Sequence, residues 1–216
     1  MALDGQLKLQ SEAANQYAQE ITDEALAILS ARGISEQTAA LFRLGTIVNP
    51  IPGHEQYKGW ISIPYFTAND VCVGFKFRRP DDGLPKYGSP TGQKTHLYNV
   101  VDVLKDSAYI VVCEGELDTV IVSGELGIPA VGSPGVAAWK PWYPRLLAGY
   151  DTVYVAGDND ERDDKEGNPG ADFSKRVASD VLNSVIVQLP PGMDITDYYL
   201  QNGHDATRRL LIGERQ

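Results

Sequence analysis

Three acidic clusters stand out because each follows an apolar run. Glu114-Gly115-Glu116-Leu117-Asp118 follows Tyr109-Ile110-Val111-Val112-Cys113, and Gly157-Asp158-Asn159-Asp160 follows Thr152-Val153-Tyr154-Val155-Ala156. Gly192-Met193-Asp194-Ile195-Thr196-Asp197 lies just past the run Val185–Leu189. Carboxylates brought to one place repel each other unless a cation sits between them. Mg²⁺ suits such a site, because it takes a few carboxylates together with waters and substrate phosphates. A pair of such ions can clamp both oxygens of a phosphoryl transfer. Glu114 and Asp118, four residues apart, share one face of a helical turn. Gly115 and Gly157 leave room for an ion or phosphate to approach the backbone. Glu114, Asp158 and Asp160 are therefore the candidate catalytic acids, with Asp118, Asp194 and Asp197 as further metal ligands. Each piece also has an ordinary explanation. Acids complement a helix N-terminus, and Asp194 or Asp197 can cap the helix that contains Tyr198-Tyr199-Leu200.

The elements that must carry these acids are legible from the apolar pattern. Largely apolar runs at 109–113, 129–131, 152–156 and 185–189, the last interrupted by Gln188, alternate with helical stretches at 117–123 and 171–182. Such alternation predicts a parallel sheet covered by helices on both faces. Ligands of open parallel sheets bind just beyond the carboxyl ends of the strands, which is where the acids fall. The mixed-sign run Glu161–Glu166, ahead of Gly167-Asn168-Pro169-Gly170, reads as a solvated loop.

The first half has another texture. Residues 9–31 are rich in Ala, Leu, Ile, Gln and Glu, with a cap signature at Thr22-Asp23-Glu24 and a stop at Gly33. A second short helix runs from Ser35 through Phe42, closed by Gly45. Trp60–Pro64 and Val71–Arg78 flank Thr67-Ala68-Asn69-Asp70 as a hairpin, and 80–95 reads as a loop. The chain thus divides near residue 105 into an α+β lobe, 1–105, and an α/β lobe, 106–216.

Charge places the partner. The 216 residues carry 19 Lys and Arg against 29 Asp and Glu, a net of −10, and that total argues against a nucleic-acid partner. The window Cys72–His96 reverses the sign: Lys76, Arg78, Arg79, Lys86 and Lys94 face only Asp81 and Asp82. Cations on a hairpin and its loop can face a single strand, with Tyr87, Phe75 or Trp60 available to stack on bases. Alternate hairpin residues can equally face water. Cys72 and Cys113, each inside an apolar run, read as buried free thiols and exclude a structural zinc site. The scattered His54, His96 and His204 read as surface residues. The start of the chain has no signal-peptide pattern, and no apolar run approaches the length of a membrane span. A cytoplasmic protein without membrane contact is the expectation.

Together, Glu-Gly-x-x-Asp, Asp-x-Asp and a final Asp pair resemble the Toprim domain of primases, topoisomerases and some nucleases. The first half narrows the choice. Arg32-Gly33-Ile34-Ser35 with Phe42-Arg43-Leu44-Gly45, Ile63-Pro64 with Val73–Arg78, and Pro85-Lys86-Tyr87 with Ser89-Pro90 resemble segments of bacterial-type, DnaG-like primase catalytic cores. The resemblance covers roughly residues 17–212. It implies a Toprim domain preceded by a smaller α+β primase lobe, and template-directed synthesis of short RNA primers on single-stranded DNA by two-metal nucleotidyl transfer. It further implies Mg²⁺ or Mn²⁺ on Glu114, Asp118, Asp158, Asp160, Asp194 and Asp197. Arg32, Arg78 and Lys86 would contact template phosphates or the nucleoside triphosphate, with Lys76, Arg79 and Tyr87 as further nucleic-acid contacts. Neither the cysteine-ligated zinc module of the family nor a helicase-type domain is expected among these residues. The last motif is Asp-x-x-Asp, as in phage primase-helicases. A phage or mobile-element enzyme, in the host cytoplasm, with its zinc module and helicase on other polypeptides, fits this pattern; an excised core reads the same. The alternatives are a Toprim nuclease and a non-catalytic, replisome-associated single-strand binder.

Overall fold

A computed structural model describes residues 2–159 and 169–213. Two compact units divide the chain, residues 1–96 and 97–216. In the first, α1 (Ala2–Gln19), α2 (Asp23–Ala31) and α3 (Glu36–Leu41) precede the antiparallel strands β1 (Gly45–Thr46), β2 (Ile61–Phe66), β3 (Cys72–Arg78) and β4 (Tyr87–Gly88), in that spatial order. The helical stretch at 9–31 is two helices, broken where Thr22 caps α2: its Oγ1 accepts from Ala25 N at 3.3 Å. Ser35 caps α3 in the same way, accepting from Thr38 N at 3.2 Å. Such caps satisfy amides that would otherwise lack a partner in the first turn.

α1 packs on the sheet through Ala13, Ala14 and Tyr17, against Cys72, Phe75 and Phe77. The approach is close enough that a Cβ on Gly45 would overlap the Tyr17 carbonyl, so only glycine fits there. Two expectations change here. Phe75 is fully buried in this core and is not a stacking platform for a single strand. His54 is not on the surface: it is 3% exposed, its ring lies edge-on to Phe75 and Phe77, and its Nδ1 is 3.1 Å from the Tyr17 hydroxyl. Tyr17 Oη in turn accepts from Ile51 N at 3.0 Å. A neutral imidazole with one polar partner fills the core as an aromatic ring would, and burial lowers its pKa. Residues 80–95 are pinned as well as looped. The Gln93 amide imitates a strand, accepting from Phe75 N at 2.7 Å and donating to Phe75 O at 2.8 Å.

The second unit holds an all-parallel sheet of β5 (Tyr109–Cys113), β6 (Ala130–Gly132), β7 (Thr152–Ala156) and β8 (Ser184–Ile186), in the order β6-β5-β7-β8. One face packs Ile110, Val112, Val131, Val153 and Val155 against Phe173 and Val177 of α6 (Pro169–Asp180), with Trp139, Tyr143 and Leu147 of the segment around α5 (Pro144–Leu147). Val111, Cys113 and Tyr154 point the other way and are also buried. On that side lie α4 (Glu116–Val120) and α7 (Ile195–Ile212), and Tyr154 Oη donates to Ile212 O at 3.3 Å. Burial on both faces explains why β5, β6 and β7 read as apolar runs, whereas β8, at the sheet edge, leaves Val185 exposed.

Residues 97–105 sit with this unit, not with the first. Tyr98 exchanges backbone hydrogen bonds with Gly132, at 2.7 and 3.1 Å. Asp102 is 2% exposed, and its Oδ2 accepts from Ser123 Oγ at 2.6 Å and from Ala130 N at 3.0 Å. A buried carboxylate needs such donors, and they tie this segment to α4's extension and to β6.

Candidate functional site

Glu114 and Asp158 leave neighbouring strands at the same level, because Cys113 on β5 is in register with Ala156 on β7. Glu114 Oε2 accepts from Asp158 N at 3.3 Å. The Asp158 turn rests on the start of α6: Gly157 N donates to Ser174 Oγ at 3.1 Å, and a Cβ on Gly170 would overlap the Asp158 carbonyl. Beyond Asp158, Asn159 holds the third acidic segment. Its N donates to Met193 O at 3.0 Å, its O accepts from Gly192 N at 2.6 Å, and its Nδ2 donates to Leu189 O at 2.7 Å. From there the chain enters α7, whose Thr196 donates through N and Oγ1 to Asp118 Oδ1, at 3.2 and 2.8 Å. Asp118 lies in the first turn of α4, but Glu114 stands before that helix, since Gly115 is its extended N-cap. The two acids therefore do not share a helical face, as their spacing suggested, and are joined through the Gly115 turn, which closes the circuit.

Electrostatics agree with this proximity. Burial first, and then the charges of Asp118 and Asp158, push the Cys113 thiol well above its ordinary pKa, while a hydrogen bond with Thr119 opposes the shift. A thiol so raised is inert as a nucleophile. Asp194 and Asp197 form a reciprocal cap at the start of α7. Asp194 Oδ1 accepts from Asp197 N at 2.7 Å, and Asp197 Oδ2 accepts from Asp194 N at 3.5 Å. Both therefore have a structural duty in this state. Asp160 lies outside the described residues. Among the described residues, no three His, Cys, Asp or Glu side chains converge as a metal-holding group. The donor chemistry of the acidic turns nevertheless suits a hard divalent cation, since every candidate offers carboxylate oxygen.

On the first unit, β3 sorts its residues by alternation: Phe75 and Phe77 go to the core, while Lys76 and Arg78 go to the other face, half-buried. Lys76 Nζ lies 4.8 Å from the centroid of the Tyr87 ring, and the Arg79 guanidinium 5.1 Å from that of Trp60. Arg79 is also paired with Asp81, Nε to Oδ1 at 2.6 Å and Nη2 to Oδ2 at 3.1 Å. That hydrogen bonding, with Gly83 N, holds the Asp81 carboxyl down to about 2. Arg78 Nη1 donates to Arg79 O at 3.1 Å, while its Nε is buried without a hydrogen-bond partner among the described residues. Lys86 is exposed beside Tyr87. Five of the six basic and aromatic candidates thus share the β3–β4 ribbon. Arg32 comes from elsewhere, the C-terminal cap of α2.

No family model matches the chain. It is 37% identical over 155 residues to the gene 57 protein of Mycobacterium phage D29, covering 69% of this chain and 96% of the phage protein. The chain belongs to that phage protein's family. It is also 25% identical over 204 residues to the DNA primase of Clostridium acetobutylicum, across 90% of this chain but only 33% of that primase. Among solved structures it resembles the Aquifex aeolicus primase, comprising zinc-binding and RNA polymerase domains, with TM-score 0.77 and 20% identity over 96% of this chain and 60% of that one. A DnaG primase catalytic domain bound to single-stranded DNA gives TM-score 0.73 and 20% identity over 94% of this chain and 79% of the other. The fold is that of the DnaG primase catalytic core.

Within this phage-family chain, sequence reasoning missed Asn159 and Thr196 as the residues that join the acidic turns, and the buried Glu116, whose charge, after burial itself, raises the Tyr98 hydroxyl. Thr196 sits inside the flagged motif, so its position was visible while its partner was not. Nothing in the sequence near Asn159 signals three hydrogen bonds to residues 189–193.

Proposed function

We propose that the chain is a DNA primase catalytic core, a nucleotidyltransferase that copies single-stranded DNA into short RNA primers. The observation that carries this reading is the primase-core fold over nearly the whole chain, with acidic turns of the second unit linked at the carboxyl ends of its strands. Glu114, Asp118, Asp158 and Asp194, with Asp160 and Asp197, would hold Mg²⁺ or Mn²⁺. Such ions, when bound, supply the positive charge that a triphosphate and an attacking hydroxyl oxygen need.

The chain's own residues do the positioning. The Glu114–Asp158 contact sets the separation of two strand-end acids, and Asp118 is oriented from behind by Thr196. Joining a 3′-hydroxyl to an α-phosphate releases pyrophosphate and uses no protein nucleophile, so catalysis of this kind rests on placement and charge. Lys76, Arg78, Lys86 and Arg32 neutralise phosphates, and Tyr87 and Trp60 offer faces to bases, as in other single-strand grooves. A partner zinc-binding module and a replicative helicase complete the expected assembly. No helix among the described residues is long and apolar enough to cross a membrane.

The test is synthesis. Incubated with single-stranded templates, ribonucleotides and Mg²⁺ or Mn²⁺, alone and with a zinc-module partner, the chain should yield oligoribonucleotides, and Asp158→Ala should yield none while keeping its circular-dichroism spectrum. Template breakdown without RNA would instead identify a nuclease. Wild-type-like synthesis by Asp158→Ala would remove the acidic turns from the chemistry.

A further inference from the structure

The two oxygens of Asp118 have different surroundings. Oδ1 takes both donors of Thr196, the amide at 3.2 Å and the hydroxyl at 2.8 Å. Oδ2 lies over the preceding turn, where a Cβ on Gly115 would stand 2.8 Å from it. Both residues are buried, Asp118 at 7% and Thr196 at 2% exposure, so these hydrogen bonds form away from competing water. A carboxylate gripped at one oxygen by two donors from one residue cannot rotate about its Cβ–Cγ bond without losing both. Its second oxygen is then directed at the turn that begins with Glu114.

The grip has a further consequence. Thr196 is in the first turn of α7, the turn capped by Asp194, and Met193 is already joined to Asn159 beside Asp158. The Thr196 hydroxyl is thus one of the links that keep the third acidic segment against the first two. A valine would have nearly the same shape and leave the amide bond in place, so the hydroxyl is the separable part.

We infer that Thr196 is a positioning residue of the acidic site: it orients Asp118 for cation binding and ties the Asp194 turn to the Glu114 turn. This rests on the reading of the acidic turns as a divalent-cation site, and it names a residue that does not itself bind the ion. Loss of a hydrogen-bond partner behind a ligating carboxylate weakens metal affinity by about 10-fold to 100-fold. With the amide retained, the lower end applies.

The experiment is a Mn²⁺ titration of the full chain without nucleotide, read by electron paramagnetic resonance of the free ion, on wild type, Thr196→Val and Thr196→Ser. Thermal melting in EDTA verifies that each variant is folded. Thr196→Val should bind Mn²⁺ about 10-fold more weakly and Thr196→Ser close to wild type. In primer synthesis, Thr196→Val should need more Mn²⁺ for half-maximal rate and recover at saturating Mn²⁺. Folded Thr196→Val that binds Mn²⁺ within about 2-fold of wild type overturns the inference, as does Thr196→Ser binding as weakly as the valine variant. Should the valine variant not fold, Thr196→Ala is held to the same criterion. Wild-type chain that binds Mn²⁺ tightly but makes no RNA refutes the polymerase reading and leaves the role of Thr196 standing.

Discussion

Asp102 offers a quantitative test of how residues 97–105 are held. Its Oδ2 accepts from the Ser123 hydroxyl and from the backbone amide of Ala130, both at buried positions, and its Oδ1 pairs with Lys105 Nζ at 2.7 Å. Asp102→Ala removes the acceptor from two buried donors, each costing about 1–3 kcal/mol when left unsatisfied. The Lys105 side chain is 49% exposed, so its ion pair is screened by water and adds at most a few tenths of a kcal/mol. The expected loss is therefore roughly 2–6 kcal/mol. For a chain of this size each kcal/mol moves the melting temperature by about 2–4 °C, which makes the shift roughly 4–24 °C. Asp102→Asn keeps an acceptor oxygen of the same shape and should lose less than half as much, while Lys105→Ala should be near neutral. Far-ultraviolet circular dichroism during heating of the full chain measures all three. An Asp102→Ala chain that melts within about 2 °C of wild type would refute the claim that this carboxylate clamps the segment to β6.

Two further expectations follow from titration and charge. Burial holds His54 neutral with a pKa below its ordinary value, and burial with Lys94 does the same to His96. The unfolded chain therefore binds more protons than the folded one below about pH 6.5, and stability falls as pH drops from there toward the folded-state values. His54→Phe should flatten part of that slope below about pH 6.5 in chemical denaturation, the His96 share remaining; an unchanged slope would show that His54 titrates normally. On the ribbon, Lys86→Ala should weaken single-strand binding and reduce the log-log salt slope by about 0.7, the value for one phosphate contact. Arg79→Ala should change that slope less, because Arg79 is already paired with Asp81. Filter binding across a salt series separates them, and equal slopes for the two variants would contradict the pairing.

How much of this was legible depended on whether the deciding interaction was local. The strand-end acids were visible because a parallel strand buried on both faces is a continuous apolar run, and whatever follows it must stand at the sheet's edge. The caps at Thr22 and Ser35 were visible because a cap and its amide lie three residues apart. Alternation along β3 also separates the two roles: Phe75 and Phe77 are out of phase with Lys76 and Arg78, so the face that offers cations cannot also offer Phe75. His54, Asp102 and Thr196 were opaque for another reason. Their partners are 37, 21 and 78 residues away, and nothing in their neighbours announces burial.

The same distinction governs the acidic site. Six carboxylates were legible as residue types, yet a list of acids does not say which oxygens hold the protein together and which can serve a cation. Asp194 and Asp197 spend oxygens on capping α7, Asp118 spends one on Thr196, and Glu114 spends one on the Asp158 amide. Each such bond lowers the cost of gathering negative charge, because a carboxylate that accepts N–H or O–H donors is partly neutralised before any ion arrives. The donors Thr196, the Asp158 amide and the first turn of α7 are thus what lets four acidic side chains share one edge of a sheet in a chain of net charge −10. On the other unit, Lys76 and Arg79 lie over aromatic rings, and Arg79 is paired with Asp81.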